Sequence, residues 1–460
     1  VNARRRALLV VDLGFGDAGK GTVVDYLARR GNVRWVVRFN GGAQAGHNVV
    51  APDGRHHTFA QFGAASFVPG VRTFLSKHMV VHPTALLVEA RHLREVGVSN
   101  VLERILVSRD ALCITPFQQA ANRLRELARG SSRHGTCGVG VGETVSDALA
   151  DPAAAVRMSD LADANSLRSK LHRVQERKRA ELVDLVKSLR TNTDAARELE
   201  MLEEPSVIDG WIEACAPLRE AGLVLPPQAM KSLLREDGDV VFEGAQGVLL
   251  DEWRGFHPHT TWSTCTFDNA IELLREHSFD GRVVKLGVLR SYTTRHGQGP
   301  MPTEVPELLA SLPEPHNNAA GWQGVFRVGW ADWVLSRYAI AACGGVDGLA
   351  LTHLDRIGAA SSWRVCDRYR FDSAVDEHLF LASKHEKTIA TDLRLGNFRD
   401  LEFQEALTRA LASARPEYQT IQPSQEQFVS LAEQVLGARV WLTSNGPGAN
   451  EKRLLPAAQL

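Results

Sequence analysis

The chain has 460 residues, 44% of them apolar and 23% charged, with a formal net charge of −1. That length can bury a large core, as one big α/β unit or a few smaller domains. The balanced charge offers no basic surface for nucleic acid or membrane, and no apolar run approaches the ~20 residues that cross a bilayer. Arg4-Arg5-Arg6 precede an apolar stretch too short for a signal peptide, so none is expected. Ala7 to Val11 predicts a strand that runs into the glycine-rich stretch Gly14 to Thr22. Val33 to Phe39 predicts a second strand. Pro83 to Val96 predicts an amphipathic helix with Leu86, Leu87, Ala90 and Leu93 on one face, and Val101 to Val107 a further strand. This rhythm predicts a mostly parallel sheet flanked by helices. The cluster Gly135 to Glu143 is too glycine-dense for a helix or a strand interior and predicts a ligand-facing loop or a mobile lid. From Met158 to Leu234 the chain is rich in Leu, Arg, Lys and Glu, a helical pattern with solvated charged faces. Strand character returns at Asp239 to Phe242, Arg282 to Leu289, Gly348 to Leu351 and Arg439 to Thr443. No repeat or linker divides the chain, so residues 1–460 are expected to form a single α/β domain with a helical insertion at 158–234. Six cysteines without a C-x-x-C pair suit buried apolar positions in a reducing cytoplasm; Cys137, inside the glycine cluster, is the exception.

A strand leading into a glycine-rich turn that ends in Gly-Lys holds phosphates. Backbone N–H groups close on the anion, the next helix offers its N-terminus, and Lys20 adds a point charge. Gly14, Gly19 and Lys20 fit the spacing of a P-loop, but Gly21 stands where Ser or Thr would ligate magnesium, and Asp17 stands inside the loop. A carboxylate among phosphates is repulsive unless it binds the metal or does chemistry. Five further segments carry polar residues at strand ends or sharp turns. They are Arg38 to His47, Phe242-Glu243-Gly244-Ala245-Gln246-Gly247, Ser291 to Arg295, Gly299 to Glu304, and Thr352-His353-Leu354-Asp355. A histidine such as His47 is, taken alone, more often a surface or satisfied side chain than a catalyst. Asp355 follows a strand, where open α/β sheets bind ligands, and can accept two hydrogen bonds from guanine that adenine cannot supply.

In this order, from Leu8 to about Gly446, these segments resemble adenylosuccinate synthetase, a family that joins aspartate to the 6-position of IMP at the expense of GTP. The resemblance implies a large P-loop-like α/β fold, magnesium, small-molecule substrates and a homodimer. It also implies roles by position. Asp17 takes the proton from purine N1 and ligates the metal. His47 stabilises charge on the 6-oxygen, and the Gly46 carbonyl is a second metal ligand. Gly16, Gly19, Lys20, Gly21, Thr22 and Asn48 lie along the GTP phosphates, while His353, Asp355, Ser444 and Gly446 hold the guanine. Gln246 and Thr261 contact the nucleotide substrate, as does Gln44, which replaces an asparagine.

The chain also departs from the family. Ala18 and Thr22 replace a glutamate and a lysine in the loop, and His353 replaces the lysine beside guanine. The threonine pair that holds the IMP phosphate becomes Thr136-Cys137, and Asp151 stands where an arginine reaches that phosphate from the neighbouring subunit. Either the helical segment is shifted in register, or the ligand carries no phosphate there. The arginine-rich loop that captures aspartate becomes Gly321 to Trp330, in which Arg327 is the sole arginine and candidate substrate contact. Either a nearby arginine such as Arg290 or Arg295 compensates, or, with Trp322 and Phe326 close by, the amine donor is less anionic or more apolar or the acceptor differs. Three readings follow: a ligase equivalent to the family's, the same chemistry on another oxo acceptor with another amine, and a nucleotide-binding regulator that has lost catalysis.

Overall fold

The computed structural model describes residues 5–130, 135–314, 317, 322–359 and 361–460; Arg4 and Gly321 fall outside them. The apolar run near the N-terminus becomes the strand Arg6–Asp12, buried on both faces after its first residue. It lies inside a sheet of ten strands. From one edge these are Lys452–Leu454, Val440–Ser444, Gly348–Thr352, Arg282–Arg290, Arg6–Asp12, Asp239–Glu243, Val33–Arg38, Arg72–Leu75, Ile105–Ser108 and Val224–Leu225. Only the pair Val440–Ser444 and Lys452–Leu454 is antiparallel; the other neighbours run parallel. A parallel sheet needs cover on both faces. Two apolar clusters supply it: Leu9, Trp35 and Phe242 point into one, and Leu8, Val36 and Val241 into the other.

The predicted mostly parallel α/β architecture is therefore present, and the strand positions agree to within a few residues. Val101 to Val107 differs. Its first half is the 3-10 turn Leu102–Arg104, and the strand covers only Ile105–Ser108. The Arg104 guanidinium explains the bend, because it donates to the carbonyls of Ser66, Val68 and Val71 and draws that turn off the sheet. Residues 158–234 are mainly helical, with the long helix Ala164–Glu181, and they contribute the short edge strand Val224–Leu225. A second, smaller sheet forms around Trp363–Arg370. No helix among the described residues is long and apolar enough to cross a membrane.

Because the central strands run parallel, their carboxyl ends open on one side. The loops after Asp12, Arg38, Glu243, Arg290, Thr352 and Ser444 all meet there. This is where open α/β sheets bind ligands.

Candidate functional site

These loops surround a cleft of about 980 Å³. Gly16, Asp17, Gly19, Lys20, Gly21, Thr22, Gln44, Gly46, His47, Asn48, Thr136, Cys137, Gln246, Thr261, His353, Asp355, Ser444 and Gly446 all line it. Arg327 does not. Its guanidinium pairs with Glu304 and donates to the carbonyls of Gly297 and Gly299, which holds it in the β-hairpin behind the wall.

The glycine loop is built around Asp12, the last residue of its strand. The Asp12 carboxylate accepts from the N–H groups of Gly14 and Ala18 and from Lys20 Nζ at 3.2 Å. Lys20 Nζ also donates to the Gln246 carbonyl at 2.7 Å, tying the helix Lys20–Arg30 to the loop after Glu243. Gly16 and Gly19 have φ of 100° and 82°, left-handed conformations that favour glycine. Three non-glycine residues in the wall, Asp17, Gln246 and His353, also have positive φ, at 60°, 55° and 55°. Such conformations persist only where the surroundings hold them, and they gather at functional sites.

Gly21 has a packing reason to be glycine. A Cβ there would stand 2.7 Å from His47 Cβ and 3.3 Å from His47 Cα. The first turn of the helix thus yields its usual hydroxyl-bearing residue to make room for the histidine. The neighbouring Thr22 hydroxyl donates to the Gly19 carbonyl, which leaves its oxygen lone pairs open to the cleft it lines.

Asp17 is exposed to the cleft. Its Oδ2 lies 3.2 Å from His296 Nε2, and its carbonyl accepts from Arg290 at 3.1 Å. Partial burial acts to raise the carboxyl pKa, but His296, Arg290 and Lys20 outweigh it and hold it below the usual carboxylate range. His47 is buried, with Nδ1 2.6 Å from Glu243 Oε1. Burial lowers the imidazole pKa against the pull of Glu243, while His47, Arg38 and the Ala64 N–H keep Glu243 ionised. Nδ1–H therefore donates to Glu243, which fixes the ring's orientation. Asn40 bridges the same two loops, exchanging hydrogen bonds with the backbone of Ala245 and donating to Ser263 Oγ.

On the far side, His353 and Asp355 follow Gly348–Thr352. The Ser444–Gly448 loop is held by Lys452, whose ammonium donates to the carbonyls of Gly446, Pro447 and Gly448. Burial pushes the Lys452 pKa down to about 8. At the other end, Thr136 bonds Asn122, and Gln323 donates to Cys137 Sγ. Burial raises the Cys137 thiol pKa, so it is not a poised thiolate. Lys178 stands in the wall with Glu143, Asp147 and Glu181 within 3.0 Å, and Arg125 pairs with two of these carboxylates. Asp151 pairs with Arg173 and lies outside the cleft wall.

A magnesium ion fits the donor set. Among the described residues no group of three or more His, Cys, Asp or Glu forms a metal cage. Magnesium at phosphate sites asks for less, namely one or two carboxylates with substrate phosphates and waters completing the octahedron. Asp17 supplies a carboxylate held below the usual range, with Oδ2 facing His296, and Gly46 lines the same cleft.

Asp12, Glu243, His296, Glu314 and Lys452 are the residues that sequence reading did not single out. Glu243 lay in plain view inside Phe-Glu-Gly-Ala-Gln-Gly, and His296 directly follows Thr293-Thr294-Arg295. Lys452 offers no local signal, because its meaning depends on the strand beside it.

Residues 9–453 match the family model described as adenylosuccinate synthetase. An adenylosuccinate synthetase of Mycobacterium sp. (strain KMS) is 31% identical over 451 residues, 97% of each chain. That of Mycobacterium tuberculosis is 30% identical over 453 residues, again 97% of each. Among solved structures, a fully ligated adenylosuccinate synthetase from Plasmodium falciparum matches with a TM-score of 0.74 at 19% identity, covering 97% of this chain and 99% of that one. The succinoaminodeoxyadenylate synthetase of cyanophage S-2L, bound to dGMP and to dATP as an energy donor, matches with a TM-score of 0.59 at 16% identity, covering 99% and 96%.

Proposed function

Because the chain belongs to the adenylosuccinate synthetase family, ligases that form a C–N bond with GTP and Mg2+, we propose that it phosphorylates the 6-oxo group of a purine-like acceptor and displaces that phosphate with an amine. The observation that carries this is the convergence of Asp17, Lys20 and a Glu243-braced His47 on one cleft. A purine oxo group is a poor electrophile. With N1–H deprotonated by Asp17, its oxygen attacks the γ-phosphorus, the bond to the β-phosphate oxygen breaks, and GDP leaves. The amine, having shed its extra proton to water, then adds to C6. The C–O bond breaks, phosphate leaves with the bonding pair, and the surplus N–H proton is released to solvent.

Asp17 suits the base role because its carboxylate lines the cleft and His296 steadies its Oδ2. Glu243 and an arriving phosphate both favour the imidazolium of His47, which then donates from Nε2 to charge on the oxygen. Asp17 and Gly46 would hold magnesium, whose charge neutralises the phosphates. Asp355, His353 and the loop held by Lys452 are read as the guanine pocket. Residues 158–234 as an insertion, a homodimer and a cytoplasmic setting belong to the same reading. The cyanophage protein's ligands, dGMP and dATP, support keeping acceptor and donor nucleotides open to assay.

The test is phosphate release with GTP, Mg2+ and IMP across a panel of amines, with products read by mass spectrometry. We expect amine-dependent turnover and a product heavier than IMP by the amine less water. GTP binding with no turnover on any oxo-purine would instead support the regulatory reading. For the brace, Glu243→Gln should lower kcat by about 10- to 100-fold while leaving the GTP affinity within a factor of about two. An unchanged kcat would show that His47 needs no brace.

A further inference from the structure

Among the described residues, the cations nearest Asp17 in the cleft wall already hold hydrogen-bond partners. Arg295 is buried and donates to the carbonyls of Gln298, Pro300 and His259, while His296 faces Asp17. Arg290, buried at the end of its strand, would be the natural guanidinium for a carboxylate arriving beside Asp17. It is occupied by Glu314, which enters the cleft wall from the segment after the 3-10 turn Pro306–Ala310 and pairs with it. Tyr292 Oη joins both, accepting from Arg290 and donating to Glu314. The other Glu314 oxygen accepts from Asn317 at 3.3 Å. The second arm of Arg290 donates to the Asp17 carbonyl and to Thr294 Oγ1. The cluster is neutral, hydrogen-bonded from several sides, and shares Arg290 with the proposed base.

An amine carrying free carboxylates would have to dislodge Glu314 from Arg290 or lie against two carboxylates, Asp17 and Glu314. At cleft distances like-charge contacts of this kind are strongly unfavourable. An amine whose remainder is neutral or cationic meets no such penalty, and its nitrogen is drawn to the Asp17 side of the cleft. We propose that Glu314 is a specificity-determining residue that screens Arg290 from carboxylates, so that the amine donor is a neutral or cationic amine and not a dicarboxylic amino acid. This rests on the amine-displacement reading above, and it adds to it the residue that sets the donor class.

The experiment is isothermal titration of L-aspartate into the full chain with Mg2+ and a non-hydrolysable GTP analogue, for wild type, Glu314→Gln and Glu314→Asp. Glu314→Gln frees Arg290 and should tighten aspartate binding by about tenfold or more, whereas Glu314→Asp keeps the screening charge and should behave as wild type. Removing Glu314 leaves a buried guanidinium unpaired, which destabilises the fold. Aspartate should therefore raise the melting temperature of Glu314→Gln and leave that of wild type unmoved, even if the variant is recovered only in part. In turnover assays wild type should use ammonium or glycinamide at least about tenfold better than aspartate. Equal aspartate affinity in wild type and Glu314→Gln, or robust aspartate-dependent turnover by wild type, overturns the proposal. Aspartate binding is read without catalysis, so a failure of the ligase reading would appear separately, as an absence of phosphate release with every amine.

Discussion

Replacing Asp17 with asparagine should stop product formation, with turnover falling by about 10²- to 10⁴-fold, the range a positioned general base contributes. The substitution isolates basicity from structure. Asparagine has the same shape, its amide oxygen can still accept from His296, and it tolerates the left-handed conformation that Asp17 adopts at φ 60°. The backbone contact from Arg290 to the residue-17 carbonyl is untouched. The melting temperature should therefore stay near wild type while chemistry fails, with a GTP analogue and Mg2+ held at saturation because Asp17 is also the proposed magnesium ligand. The measurement is single-turnover product formation with enzyme in excess, which removes product release from the rate. A rate within tenfold of wild type would assign the proton transfer to another group, and His296 would be the first to examine.

The second large effect comes from a substitution that makes the loop look more like an ordinary P-loop. Gly21→Ser supplies the hydroxyl that such loops use to hold magnesium, yet it should lower kcat/KM by about 10²-fold. The added Cβ would lie 2.7 Å from His47 Cβ, and its other near contacts, His47 Cα and Ala64 Cβ, leave little room to give. His47 must shift, and a displacement of about 1 Å at a catalytic group costs on that order. Its hydrogen bond to Glu243 at 2.6 Å is the geometric casualty. A Gly21→Ser protein with normal or improved kcat/KM would show that His47 is not held in register by this contact. The ring's position, checked by crystallography of the variant, decides between displacement and a direct effect on phosphate binding.

Much of this was legible in the sequence because the signals were local. Apolar runs such as Leu8 to Val11 name their own strands, and the glycines at 16 and 19 announce positive-φ turns. The cleft was legible one wall at a time, since most candidates follow strands of the parallel sheet, which gathers those ends on one side, whereas Thr136 and Cys137 follow the helix Pro116–Arg129. What stayed hidden depends on contacts between distant positions. That Gly21 is small because of His47, and that Arg290 is taken by Glu314, follow from packing across 26 and 24 residues of sequence. The placement of Arg327 is of the same kind: its residue type suits a substrate contact, and only the hairpin shows its guanidinium turned toward Glu304. The bend at Leu102–Arg104 was set by carbonyls more than thirty residues upstream.

The Lys452 clamp has a consequence for how the protein comes off the ribosome. The glycine loop at 14–22 is synthesised about 430 residues before the ammonium that holds the loop at 444–448, which lines the same cleft. Its strand, Lys452–Leu454, also closes one edge of the sheet. At translation speeds of about 5–20 residues per second, roughly twenty seconds or more separate the two. Through that interval the cleft lacks this wall, so on the proposed reading a nucleotide cannot yet stabilise the nascent chain. Whatever protects the earlier strands during synthesis must be their own pairing or a chaperone, with the ligand arriving only after the strand Lys452–Leu454 has locked into place.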